Sequence, residues 1–171
     1  MNYKTVCICA VVALAVAMAS AQTKSTLSGK CAKPDVQQSV AAGDQPGHAL
    51  TVAQGKCTAM GDVGGAAGKD GVFSEHGDAT ASHVKTWGVF VETFDSGDKV
   101  FYNYQTTGTM KDGAFQAGTN KYTITGGTGK MKGIKGSGGC KLTGTSDGGT
   151  DYSCSGEYTL AGAAPAAPPK Q

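Results

Sequence analysis

The sequence predicts an all-β, single-domain fold closed into an antiparallel barrel, and three observations carry that prediction. Short β-rich runs alternate with Gly, Asp, Ser and Pro turns along almost the whole chain, with no convincing helical periodicity outside the first residues and one short interior segment. Where the alternation is clearest, both faces of the predicted sheet are substantially apolar, whereas an open one-sided sheet leaves one face polar. The run Gly126 to Gly139 directly follows strand-like Tyr122-Thr123-Ile124-Thr125. So much glycine marks a special connection inside a β domain, where the backbone takes positive φ or lies very close to a neighbour.

The chain of 171 residues opens on a processing signal. Lys4 supplies the positive region, Val6 to Ala17 the apolar region, and Ala19-Ser20-Ala21 an A-x-A cleavage site. Polar Gln22-Thr23-Lys24 follows too soon for a membrane anchor of about 20 apolar residues. Residues 1–21 are therefore expected to be a signal peptide, residues 22–160 the barrel domain, and residues 161–171 an Ala/Pro-rich, disordered tail. The protein is expected to be exported, to a periplasmic or extracellular location, with no membrane span after cleavage. Loss of Cys7 and Cys9 with the signal leaves Cys31, Cys57, Cys140 and Cys154, an even set that in an exported chain favours disulfides.

Strands are expected near 26–32, 48–58, 71–76, 82–94, 99–110, 114–125, 135–145 and 150–160. Asp35 to Val40 reads as a short helix or an extended loop, and Ala59 to Lys69 as a mobile loop or poorly defined strand. Cys31 and Cys57 lie symmetrically about Asp44, within Ala42-Gly43-Asp44-Gln45-Pro46-Gly47, and Cys140 and Cys154 about Asp147. Hairpins turning at those points pair Cys31 with Cys57 and Cys140 with Cys154, and set Leu142 opposite Tyr152. Between Phe94 and Lys99, a Ser96-Gly97 two-residue loop fixes a register with Glu92 opposite Phe101, Phe90 opposite Asn103, and Val91 opposite Tyr102. The turn Lys111-Asp112-Gly113-Ala114 extends the meander and sets Asn103 opposite Tyr122 and Phe101 opposite Ile124. One face then carries Phe90, Glu92, Phe94, Phe101, Asn103, Gln105, Asn120, Tyr122 and Ile124; the other carries Trp87, Val89, Val91, Val100, Tyr102 and Tyr104.

Several function classes are disfavoured by these residues. The 15 basic side chains are all lysine against 13 acids, so no guanidinium is present for bidentate recognition of phosphates or bases. Lys121, Lys130, Lys132, Lys135 and Lys141 form a local basic block best read as lysines protecting a glycine-rich loop and strand edges, and no nucleic-acid partner is expected. A phosphate loop fails, since Ile124 stands where its first glycine belongs and Met131 follows Lys130. Glu75-His76-Gly77-Asp78 with His83, and the isolated His48, match no metal-ligand spacing; the cluster reads as a polar turn, and no metal or cofactor is expected. No G-x-S-x-G elbow accompanies any Ser, His and Asp set. The constellation that carries chemistry is Glu92 among Phe90, Phe101, Asn103 and Tyr122: a carboxyl among apolar groups loses hydration, which raises its pKa and suits it to acid/base work.

The strand followed by Gly126-Gly127-Thr128-Gly129-Lys130-Met131-Lys132-Gly133 and a further strand resembles the glycine-rich signature of allene oxide cyclase and dirigent-like barrels. The wider pattern, from Lys33-Pro34-Asp35-Val36-Gln37-Gln38 through Gly88-Val89-Phe90-Val91-Glu92-Thr93 to that signature, is similar to small exported bacterial proteins of unassigned function. The resemblance implies an eight-stranded barrel with an apolar interior, often oligomeric. Plant members of that superfamily cyclise an oxidised fatty-acid epoxide or steer radical coupling; their catalytic residues do not align to positions here, and no activity is carried over. The sequence thus points to a barrel that binds a small apolar molecule or is simply packed, with Phe90, Glu92, Phe101, Asn103 and Tyr122 as the ligand-binding set. The alternatives are a cofactor-free cyclase or isomerase with Glu92 as its catalytic group, and a surface assembly or adhesion module that forms homo-oligomers.

Overall fold

The computed structural model describes residues 22–161. The expected signal peptide, 1–21, and all but the first residue of the expected tail, 161–171, lie outside the described residues. Nine strands follow one another: β1 Thr23–Cys31, β2 Val36–Ala41, β3 Ala49–Val63, β4 Ala66–Ala79, β5 His83–Phe94, β6 Lys99–Lys111, β7 Ala114–Gly127, β8 Lys135–Gly144 and β9 Thr150–Thr159. All pairings are antiparallel, in the order β1-β9-β8-β7-β6-β5-β4-β3-β2, and β1 also pairs with β3. That extra pairing closes β1 and β3 to β9 into an eight-stranded barrel. The ninth strand, β2, lies outside the ring: β3 gives the first part of one edge to β2 (Ala49–Gln54) and the rest to β1 (Cys57–Gly61).

Two segments differ from expectation. Asp35 to Val40, expected as a short helix or extended loop, falls mostly in the strand Val36–Ala41, because the Ala42–His48 loop folds it back along β3. The stretch Ala59 to Lys69 forms the end of β3, a Gly64-Gly65 turn with φ of 63° and 78°, and the start of β4. The two disulfides join Cys31 to Cys57 and Cys140 to Cys154, each across directly opposed strand positions, as the hairpin symmetry predicts. Leu142 stands opposite Tyr152 as well.

The register of the β5–β6 hairpin departs by one residue from the sequence reading. The loop has three residues, Asp95-Ser96-Gly97, closed by Phe94 N–H to the Asp98 carbonyl and Gly97 N–H to the Phe94 carbonyl. Gly97 supplies the left-handed residue this loop length needs, at φ 83°. Phe90 therefore faces Tyr102, Val91 faces Phe101, and Glu92 faces Val100. Because side chains alternate with period two, a one-residue slip turns the whole of β6 over relative to β5. At the β6–β7 hairpin, Asp112-Gly113 forms the expected two-residue turn, both at positive φ, and Lys111 pairs with Ala114. An irregularity between Thr109 and Met110 then shifts the pairing by one, so that Tyr102 meets Ile124 and Tyr104 meets Tyr122.

One end of the barrel is plugged. The glycine-rich run forms the end of β7, a single 3-10 turn at Gly129–Met131, and a short link into β8. It drives Met131 and Ile134 into a fully buried cluster with Val63, Phe94, Val100, Tyr102, Ile124 and Tyr158. The Tyr158 hydroxyl accepts from the Gly64 N–H at 2.8 Å, tying the β3–β4 turn to the same floor.

Candidate functional site

Above the floor, the lumen is built in rows across neighbouring strands. One row runs Phe73, Phe90, Tyr102, Ile124, Gly136, Tyr158; the next runs Glu75, Gly88, Tyr104, Tyr122, Gly138, Gly156. Large rings and glycines share these rows because an eight-stranded barrel has little interior width. A Cβ on Gly138 or on Gly156 would come within 2.3 Å of the Tyr122 hydroxyl, so this ring can lie across β8 and β9 only over glycine. A Cβ on Gly71 would meet the tip of Phe90 at 2.1 Å for the same reason.

Glu92 projects from β5 into this interior and is 1% exposed. Its Oε2 accepts a hydrogen bond from the Tyr102 hydroxyl at 2.6 Å, and its Oε1 is buried with no hydrogen-bond partner. Tyr102 packs on Phe90 with ring centroids 5.8 Å apart and takes Tyr122 edge-on at 5.6 Å. Burial raises the Glu92 carboxyl above its ordinary value, and the Tyr102 bond only partly offsets that. Tyr102 is raised in turn, first by burial and then by the Glu92 charge; Tyr122 is raised by the same two causes, and Tyr152 is pushed up to about 12. These phenols remain hydrogen-bond donors at any physiological pH.

A second carboxylate, half-buried, lies further from the floor. Glu75 Oε2 accepts from Tyr104 at 2.8 Å and from Thr86 Oγ1 at 2.9 Å. Burial, then the Glu75 charge, raises the Tyr104 phenol. The two carboxylates differ in burial and in donors: Glu75 is half-buried with two donors on Oε2, whereas Glu92 is fully buried with one donor and keeps a bare oxygen inside the barrel.

The structure brings together three of the five residues expected to line a site. Phe90, Glu92 and Tyr122 point into the lumen. Phe101 and Asn103 do not: the β6 slip turns them to the outer face, where Phe101 is half-buried and Asn103 exposed, and puts Tyr102 and Tyr104 in their place. Sequence reasoning assigned those two tyrosines to the opposite face, read Glu75 as part of a polar turn and passed over Thr86. Reading Asp95-Ser96-Gly97 as a three-residue loop with Gly97 left-handed would have recovered both tyrosines. The Glu75-His76-Gly77-Asp78 segment is the middle of β4 and not a turn. Its side chains alternate: Glu75 is luminal, His76 stacks on Trp87 outside at 5.6 Å, and Asp78 bonds to His48. Among the described residues, no three His, Cys, Asp or Glu side chains are grouped to hold a metal ion, and no helix is long and apolar enough to cross a membrane.

No family model matches the chain, and no curated protein matches it. Among solved structures, the chain is similar to the pterocarpan synthase dirigent protein GePTS1, at 11% identity and a TM-score of 0.44, over 94% of this chain and 100% of that one. The barrel assignment rests on the strand pairing itself.

Proposed function

We propose that this is an exported binding barrel whose lumen holds one small, largely apolar molecule at the Glu92–Tyr102–Tyr122 group, without catalysis. The observation that carries the reading is the unpartnered Oε1 of Glu92. A buried polar atom with no partner costs roughly 1–3 kcal/mol, and more when charged. A ligand hydroxyl or amine donating to that oxygen recovers the cost, and the Phe90 and Tyr102 rings supply apolar contact. Phe101 and Asn103 are not part of this site. The two disulfides agree with an oxidising compartment outside the cytosol.

A second reading is a cofactor-free cyclase or isomerase, favoured by the raised carboxyl of Glu92 beside phenols that keep their protons and can donate them in hydrogen bonds. In that role Glu92 would move a proton while Tyr122 or Tyr102 steadies a developing oxyanion. Native mass spectrometry of the protein purified from a secreting host tests the main reading. A noncovalent adduct released by organic solvent is expected, with lower occupancy in Glu92→Gln. A bare chain mass for both proteins means a simply packed interior. Conversion of the released molecule on incubation with fresh protein selects the enzymatic reading.

A further inference from the structure

Ring closure pairs most strand edges, and β2 is the strand with one edge open along its full length. β2 is the last strand of the sheet, bonded to β3 along one edge, and no described strand pairs with the other. In an antiparallel strand, alternate residues aim their N–H and C=O groups to opposite sides, so half of this backbone faces outward unpaired. Natural sheets blunt such an edge with lysine, proline, a bulge or a covering segment, because an open edge recruits another strand. None of these devices occurs in Val36-Gln37-Gln38-Ser39-Val40-Ala41: it carries no charge and no proline, and pairs with β3 through six residues without a register shift. All six residues are exposed, Val36 by 49% and Val40 by 70%.

We infer that this edge is the contact between two copies of the chain, joined β2 to β2 in antiparallel across a twofold axis at Gln38. The segment is close to palindromic about that residue. The dyad sets Gln38 against its own equivalent, Val36 against the partner's Val40, and Gln37 against the partner's Ser39. An isologous contact needs this self-complementarity, whereas a foreign peptide does not. Val36, Gln38 and Val40 lie on the same sheet face as Gln54, Val52 and Leu50, their partners in β3, and Leu50 and Val52 are themselves more than half exposed. The dyad therefore also merges the outward aliphatic side chains of both copies into one surface. Outer positions of β7 to β9 and β1 (Thr119, Lys121, Lys141, Ser153, Ser155, Thr26, Ser28) are hydroxyl and lysine side chains with no comparable apolar patch. This inference is independent of what the lumen binds.

Sedimentation velocity on the disulfide-intact protein is expected to give a reversible dimer. Gln38→Lys, which sets two ammonium groups face to face on the dyad, is expected to raise the dissociation constant roughly tenfold or more with the circular dichroism spectrum unchanged. Opposed Cα atoms in such a pair lie roughly 4.5–5.5 Å apart, within disulfide reach. Gln38→Cys is thus expected to cross-link into a covalent dimer under mild oxidation. Thr123→Cys on β7 and Val89→Cys on β5, both exposed and outward, are expected to stay monomeric on denaturing gels. A monomer at every concentration overturns the inference. A dimer indifferent to Gln38→Lys, or captured by Val89→Cys and not by Gln38→Cys, does so equally, since it places the contact on the sheet face.

Discussion

Replacing Tyr102 by Phe removes one oxygen atom and leaves the ring where it packs, against Phe90 and edge-on to Tyr122. Among the described residues the lost oxygen is the only donor to Glu92, whose other carboxyl oxygen already has no partner. A hydrogen bond to a charged group contributes about 1.5–3 kcal/mol, and its removal leaves a wholly unpaired buried carboxyl. Tyr102→Phe is therefore expected to destabilise by roughly 2–3 kcal/mol near neutral pH. For a domain of this size that is a fall of about 4–12 °C in Tm. The pairing also fixes how the variants combine. Glu92→Leu alone strands the Tyr102 hydroxyl, but Glu92→Leu with Tyr102→Phe removes both polar partners, and is expected to be closer to wild type than the two single losses added together.

Acid shifts the balance in a direction set by the carboxyl. Its folded pKa is raised above the ordinary 4.5, so burial of Glu92 carries no charge penalty below that value and a growing loss of stability as pH rises through the folded pKa. Under acid the neutral carboxyl needs its donor less, and the penalty of Tyr102→Phe is expected to shrink to roughly 0.5–1.5 kcal/mol. Urea unfolding at pH 7 and at pH 4, with disulfides intact, measures all four proteins. A Tyr102→Phe change below about 0.5 kcal/mol at pH 7, or a double variant equal to the sum of the singles, refutes the account of a half-satisfied buried carboxyl.

Phe94→Ala, at 1% exposure in the plugged floor, is expected to cost roughly 3–5 kcal/mol, whereas Phe101→Ala on the outer face is expected to cost clearly less; equal losses in urea titrations would contradict the β6 register. Gly71→Ala forces a methyl group onto the tip of Phe90 and is expected to destabilise by about 1–3 kcal/mol, with partial rescue by Phe90→Leu in thermal melts. His48 bonds Asp44 at 2.5 Å and Asp78 at 2.9 Å, and the Asp44 bond above all raises its pKa. Its hold on the Ala42–His48 loop is therefore complete below the unfolded value near 6.5 and lost as pH rises through the higher folded one. Hydrogen exchange in that loop is expected to quicken beyond intrinsic base catalysis over this range in wild type and not in His48→Asn.

The residues themselves determined most of the barrel. Local turn chemistry placed the hairpins at Asp112-Gly113 and Asp147, and hairpin symmetry paired all four cysteines, because these features depend on a few neighbouring residues. Alternation along one strand likewise kept Phe90 with Glu92, and Tyr122 with Ile124. The tertiary structure decided how the strands sit against each other. A three-residue loop at Asp95-Ser96-Gly97 in place of two, and an irregularity near Met110, moved β6 by one residue against both neighbours. That exchanged Phe101 and Asn103 for Tyr102 and Tyr104 inside the lumen. Both faces of β6 bear aromatic and apolar side chains, so hydrophobic pattern alone gives no energetic preference between the two registers. The choice falls to contacts distant in sequence: Tyr102 must reach Glu92, Tyr104 must reach Glu75, and Tyr122 must lie over Gly138 and Gly156. The strand at Val36–Ala41 is likewise held by pairing with β3, and no periodicity within the segment marks it as a strand.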